Sequence, residues 1–150
     1  MKAVEYLNQL KWLESEIEKL EDEEEVQWSM ATSITTNMDG MPHGSGEHDK
    51  MTVSVKRIIE AKAATAAEKA KYVLARQDII AHIKMLPIKQ YDVLYWLYVK
   101  KRDNRQKGQK WYYTWAEVAE NLGCTEQNIS KTRKKAIKNL QKILDSEEEK

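Results

Sequence analysis

The sequence predicts an all-α protein, a long N-terminal helical hairpin followed by a helix-turn-helix domain. Three observations carry that prediction. The chain of 150 residues holds only 5 Gly and 2 Pro, too few breakers for a sheet with many turns. Its apolar residues recur at steps of three, four and seven, the period of a helix face. Glycine, proline and capping residues gather at a few places, and those places cut the chain into helices.

The first helix covers Met1 to about Met30. Ala3, Leu10 and Ile17 stand seven apart, as do Tyr6, Leu13 and Leu20, and together they form an a/d stripe. The stripe fails at Glu21-Asp22-Glu23-Glu24-Glu25, which reads as a solvated helix face, and resumes with Val26, Trp28 and Met30. Residues 32–50 contain three glycines and Pro42, so they form a loop. A second long helix runs from about Lys50 to Met85. There Ile59, Ala66, Val73 and Ile80 repeat at seven, flanked by Ala63 and Ala70, and the alanines allow close helix approach. Residues 1–85 thus form a helical hairpin and an oligomerisation region. The stripe on the first helix needs a cover. A second copy in a homodimer is the leading expectation, and residues 53–85 of the same chain are the alternative.

Leu86-Pro87 opens the next domain, residues 86–144, because proline suits the first turn of a new helix. That helix covers Ile88 to Val99 and buries Tyr91, Leu94, Tyr95 and Tyr98. Lys100 to Lys110 is a basic loop with six Lys/Arg and one Asp. Helices follow at 115–122 and 126–144. Residues 145–150 form an acidic, frayed tail.

The net charge of +1 hides an asymmetry. Residues 1–83 hold 10 basic and 15 acidic side chains, a balance of −5, whereas residues 84–144 hold 14 and 5, a balance of +9. A basic domain beside an acidic one implies a polyanionic partner, with phosphate attraction supplying much of the affinity. No apolar run reaches the roughly 18 residues of a membrane span, and none resembles a signal peptide. Cys124, the single cysteine, has no partner for an internal disulfide. The expected setting is cytoplasmic.

Residues 114–144 carry the chemistry. Thr114-Trp115-Ala116-Glu117 reads as a capping box. Gly123 suits the left-handed turn after a short helix, and Thr125 caps the next one. Ala119, small, and Ile129, apolar, stand where two helices of a helix-turn-helix approach each other. At about 100° per residue, Ile129, Ala136, Leu140 and Ile143 share one face, with Gln127, Lys131, Lys134 and Lys138 nearly opposite. A recognition helix reads base edges with its first residues and meets phosphates with cations further along. The expected base-reading residues are therefore Gln127, Asn128, Ser130 and Lys131. The expected phosphate contacts are Thr114, Thr125, Lys134, Lys135 and Lys138, with Lys100, Lys101, Arg102, Arg105 and Lys107 from the basic loop. Double-stranded DNA is the implied partner.

Leu86-Pro87 through Tyr91-Asp92-Val93-Leu94, with Thr114-Trp115-Ala116-Glu117-Val118-Ala119 to Lys138-Asn139-Leu140, resembles region 4 of bacterial sigma factors. It is more similar still to the sigma-region-4-like regulators of phages and prophages, of the ArpU and RinA type. Met41-Pro42-His43-Gly44-Ser45-Gly46 resembles a box in one branch of those proteins. The resemblance implies a sequence-specific transcriptional regulator of phage genes, a late operon above all, and bacterial RNA polymerase as a second partner. Two other classes compete. Small-terminase packaging proteins also join helix-turn-helix domains to helical hairpins, and a hairpin can serve as a module that binds polymerase.

Other residues give weaker signals. His43, His48 and Asp49 lack further ligands at a recognisable spacing, so they read as part of a turn, and no metal or cofactor is expected. Cys124 reads as a small residue in the motif's turn. Trp111, Tyr112 and Tyr113 are candidates for base stacking or packing, and Trp115 reads as core. No phosphate loop, nucleophile elbow or paired-carboxylate pattern appears, so no enzyme is expected.

Overall fold

The protein is all-α in a computed structural model that describes residues 1–36, 45–103, 105 and 109–149. Five α-helices follow one another among the described residues: α1 Ala3–Thr36, α2 Ser45–Ile83, α3 Ile88–Leu94, α4 Trp115–Leu122 and α5 Glu126–Glu148. A π-helical turn, Tyr95–Val99, continues α3 and closes with the Lys100 amide donating to the Tyr95 carbonyl at 2.8 Å.

The chain forms two compact units. One is a hairpin unit, Leu13–Tyr72. The other is a composite unit made of Met1–Trp12 together with Val73–Lys150. The division does not fall at Leu86-Pro87, where the sequence places it.

In the hairpin unit, α1 and α2 run antiparallel. Glu21 pairs with Lys69 at 3.1 Å, Glu24 lies 3.5 Å from the Thr65 hydroxyl, and Lys62 sits over the Trp28 ring. Leu13, Ile17, Ile58, Thr65 and Tyr72 are buried. The α2 face used here is Ile58, Thr65 and Tyr72, spaced by seven and continued by buried Ile79. That corrects the expected Ile59/Ala66/Val73/Ile80 stripe by one position. Ile59 is 62% exposed, Ala66 and Val73 are exposed, and Ile80 is half-buried. Thr65 tolerates burial because its hydroxyl donates to the Ala61 carbonyl at 3.0 Å. The helices also reach further into residues 32–50 than expected, α1 to Thr36 and α2 from Ser45. Thr32 is helical, its hydroxyl bonded back to the Trp28 carbonyl. His43 and most of the Met41–Gly46 box lie outside the described residues, as do the side chains of His48 and Asp49.

The composite unit packs α3 and α4 on α5. Its fully buried side chains come from α1 (Leu7, Leu10), α2 (Ile79, Ile83) and the C-terminal helices (Leu94, Val99, Val118, Ile129, Leu140). Polar contacts hold the chain's start against α5. The Ala3 amide donates to Gln141 at 2.7 Å, and the terminal ammonium meets Glu148 at 2.8 Å. These contacts explain why the acidic tail, expected to fray, continues α5 to Glu148. They also show that Ala3, Tyr6, Leu7 and Leu10 are covered within the chain. Of the rest of the first-helix stripe that motivated the homodimer, Leu13 and Ile17 are buried and Leu20 is half-buried.

His82 is the polar centre of this unit. Its Nδ1 lies 2.7 Å from the Asp78 carbonyl and 2.8 Å from the Tyr6 hydroxyl, while Nε2 lies 2.7 Å from Glu147. Tyr6 in turn donates to the Asp78 carboxylate. Sequence reasoning placed Tyr6 on an apolar stripe and missed Asp78, His82 and Glu147, because their spacing along the chain carries no signal.

Candidate nucleic-acid interface

The interface starts from two helix ends. Thr114 takes extended backbone geometry, and its hydroxyl oxygen accepts the Glu117 amide at 3.3 Å. The Glu117 carboxylate returns to the Thr114 amide at 3.3 Å, which completes the expected capping box. α4 ends at Gly123, whose φ of 70° is left-handed. The Cys124 amide then reaches the Ala119 carbonyl at 2.9 Å and the Gly123 amide the Glu120 carbonyl at 3.3 Å, a Schellman closure. Thr125 caps α5 by accepting the Asn128 amide at 3.1 Å. Val118, Ala119 and Ile129 are buried, so the short turn brings α4 and α5 together over a small apolar contact.

That packing fixes which side of α5 faces out. Ile129, Ala136, Leu140 and Leu144 are buried. Leu144, four after Leu140, takes the place expected of Ile143, which is half-buried. Gln127, Asn128, Lys131, Lys134, Lys135 and Lys138 are exposed, and Ser130 is half-buried. Among the described residues, no acidic side chain pairs with Lys131, Lys134, Lys135 or Lys138. The expected base-reading residues and helix cations thus lie along one helix, with Gln127 and Asn128 in its first turn.

Two expected phosphate contacts have other work. The Thr114 hydroxyl both accepts from the Glu117 amide and donates to its carboxylate, so the cap occupies it. The Arg102 guanidinium grips both Glu117 carboxylate oxygens, and its Nε donates to the Lys110 carbonyl at 2.9 Å. The Arg102 guanidinium beside Glu117 holds that carboxyl down at about 2, aided by the Thr114 amide. Arg102 therefore ties the basic loop to α4, because a bidentate carboxylate satisfies its donors.

The two ends of the basic loop are held to each other. Lys101 bridges antiparallel to Tyr112, and the Arg102 amide donates to the Trp111 carbonyl at 2.7 Å. The two arms therefore leave and return side by side. Aromatic rings support the cations: Lys100 sits 4.0 Å from the Trp96 ring centre, and Arg105 sits 4.2 Å and Lys101 5.1 Å from that of Trp111. Lys107 lies outside the described residues. Trp111, Tyr112 and Tyr113 are half-buried, whereas Trp115, expected in the core, is 41% exposed. Arg133 lies 5.3 Å from the centre of the Trp115 ring, and its Nε also donates to the buried Tyr98 hydroxyl at 2.8 Å.

Sequence reasoning missed Arg133 and Lys11. Lys11, on α1, lies 5.0 Å from the centre of the Tyr98 ring and 5.4 Å from that of Tyr112. Burial, then Arg133 and Lys110, lower its ammonium from the ordinary range. Lys11 and Arg133 thus share one tyrosine ring. No periodicity within α1 marks Lys11, because its neighbours arrive from residues far along the chain.

Cys124 is half-buried and free, in the turn. Among the described residues, no group of three or more His, Cys, Asp or Glu side chains is placed to hold a metal ion. No helix among them is long and apolar enough to cross a membrane. No family model, curated protein or solved structure matches the chain.

Proposed function

We propose that this chain is a sequence-specific DNA-binding transcriptional regulator that reads the major groove with α5. The observation that carries the reading is the exposed row Gln127, Asn128, Lys131, Lys134 and Lys138. It starts at the N-terminus of a helix set behind a glycine turn and braced by α4. Glutamine and asparagine match adenine edges, and lysine matches guanine, so the first turns offer base readout and the later turns offer charge. Lys100, Lys101 and Arg105 in the basic loop act on phosphates, with Lys11 and Arg133 as further cations. The likeness of Leu86–Leu94 and Thr114–Leu140 to the sigma-region-4-like regulators of phages and prophages supports control of phage or prophage genes. It also supports a contact with bacterial RNA polymerase.

The test is selection of bound DNA from a random pool, followed by binding measurements on the selected and scrambled sites. The expected outcome is a preferred sequence and an affinity that falls steeply with salt. Equal, salt-insensitive or absent binding to both sites would sink the reading. Retention of polymerase without DNA in the same preparation would move the proposal to an interaction module.

A further inference from the structure

Tyr98 is buried in the π-helical turn, and its ring brings two distant cations together. Arg133 of α5 donates from Nε to the Tyr98 hydroxyl at 2.8 Å, which sets the guanidinium at the tip of the ring. Lys11 of α1 lies 5.0 Å from the centre of the same ring and 5.4 Å from that of Tyr112. Lys110, where the basic loop returns, is a third cation near enough to act on the Lys11 ammonium. After burial, Arg133 and then Lys110 depress that ammonium. All of these residues belong to the composite unit. Lys11 and Lys110 are exposed and Arg133 is half-buried, so an ion from solvent can reach them.

Among the described residues, no carboxylate pairs with Lys11, Lys110 or Arg133. Arg102 gives the contrast. It holds the Lys110 carbonyl, and its own charge is answered by Glu117. Three like charges gathered without a counter-charge work against the folded state until an anion joins them.

We infer that Lys11, Lys110 and Arg133 form a binding site for one phosphate group. Phosphate matches the set better than a carboxylate does. Its oxygens point in several directions, so donors from α1, the loop and α5 can each meet one. Its charge, about −1.5 to −2 as a monoester, answers more than one cation. At about 100° per residue, Arg133 lies roughly 130° around α5 from the middle of the Gln127, Lys131, Lys134 and Lys138 row. The site is therefore separate from that row, and it stands whether or not α5 reads DNA. The group has two sources, the backbone of a bound duplex and a free phosphorylated molecule.

The experiment titrates the full chain with inorganic phosphate at constant ionic strength, with chloride as the control. It reads the melting temperature and, by NMR, the titration of the Lys11 ammonium. Phosphate, but not chloride, should raise both. Lys11→Met should keep its helicity by circular dichroism and weaken phosphate binding roughly tenfold or more, the worth of one hydrogen bond to a charged group. Lys110→Met repeats the test at an exposed position should Lys11→Met lose helicity. Lys56→Met, in the hairpin unit, should bind phosphate as the wild type does. Duplex DNA separates the two sources. Lys11→Met lowers the salt slope of DNA binding by about one if the group is a backbone phosphate, and leaves it unchanged if the group belongs to a free molecule. A wild type that responds equally to phosphate and chloride, or phosphate binding unchanged in both Lys11→Met and Lys110→Met, would overturn the site. Because the phosphate titration contains no DNA, its failure is distinct from failure of the DNA-binding reading.

Discussion

His82 shows how one side chain can tie distant stretches together and give the fold a pH dependence. Burial works against its charged form. The Glu147 carboxylate, the Asp78 carbonyl and the Asp78 carboxylate outweigh burial, so the imidazolium is held above its ordinary value. Both ring nitrogens face acceptors, which only the doubly protonated ring can satisfy together. A raised folded-state value means a stabilising contribution that is complete below about 6.5 and is lost as pH rises through the folded value. The urea midpoint should therefore fall between pH 6 and pH 8, and His82→Gln should flatten that dependence. A midpoint that rises over this range would contradict the assignment. Glu117 has the opposite sign. Its contribution is present above about 4.3 and is lost as pH falls toward 2, so it is silent in the window where His82 is tested. Residues of the proposed DNA-binding face separate into readers and anchors. Gln127→Ala or Lys131→Ala should weaken the preferred site by roughly 1–3 kcal/mol and relax selectivity at one base pair. Neutralising Arg105 should weaken matched and scrambled DNA about equally and lower the salt slope by about one. Arg102→Ala should behave differently from Arg105, because its guanidinium holds Glu117. Its main effect should be a lower melting temperature, and competition binding on matched and scrambled sites distinguishes the three patterns.

At the scale of elements, the turn between α4 and α5 was legible because local chemistry dictates it. Threonine with a glutamate three residues on, then a glycine, specifies cap, short helix and left-handed end with no help from the rest of the chain. Gly123→Ala tests this. A Cβ at position 123 meets nothing within 4 Å, so any loss comes from the φ of 70° alone. The expected cost is about 1–2 kcal/mol, read from chemical denaturation, and α5 itself should stay helical. Helix α2 was harder. Its two seven-residue stripes differ by one position, and apolar content favours Ile59/Ala66/Val73 over Ile58/Thr65/Tyr72. The buried stripe can take in Thr65 because its hydroxyl bonds within its own helix and lies beside Glu24 of α1. Composition along α2 alone does not reveal that arrangement, since the deciding partner lies on another helix.

For the molecule as a whole, the sequence suggests a boundary at Leu86-Pro87, and the packing places it elsewhere. Proline marks the end of a helix reliably, but the end of a helix is not the end of a core. Leu7, Leu10, Ile79 and Ile83 all precede that proline, and all four are completely buried in the composite unit. The C-terminal helices therefore share their core with residues that precede the proline. A fragment covering residues 86–150 should lose the protection of the α5 amides that the full chain provides, measured by hydrogen exchange. Within the full chain, Leu10→Ala should cost about 2–5 kcal/mol, because it opens a cavity in a site with no exposure. That loss should appear in the protection of Ile129 and Leu140, far along the sequence but in the same unit. If the fragment keeps the protection of the full chain, or if Leu10→Ala leaves α5 protection unchanged, the N-terminal turns are a passive attachment to an independent domain. The expected result makes them part of the fold that positions Gln127 and Lys131, so DNA affinity and N-terminal packing should fall together.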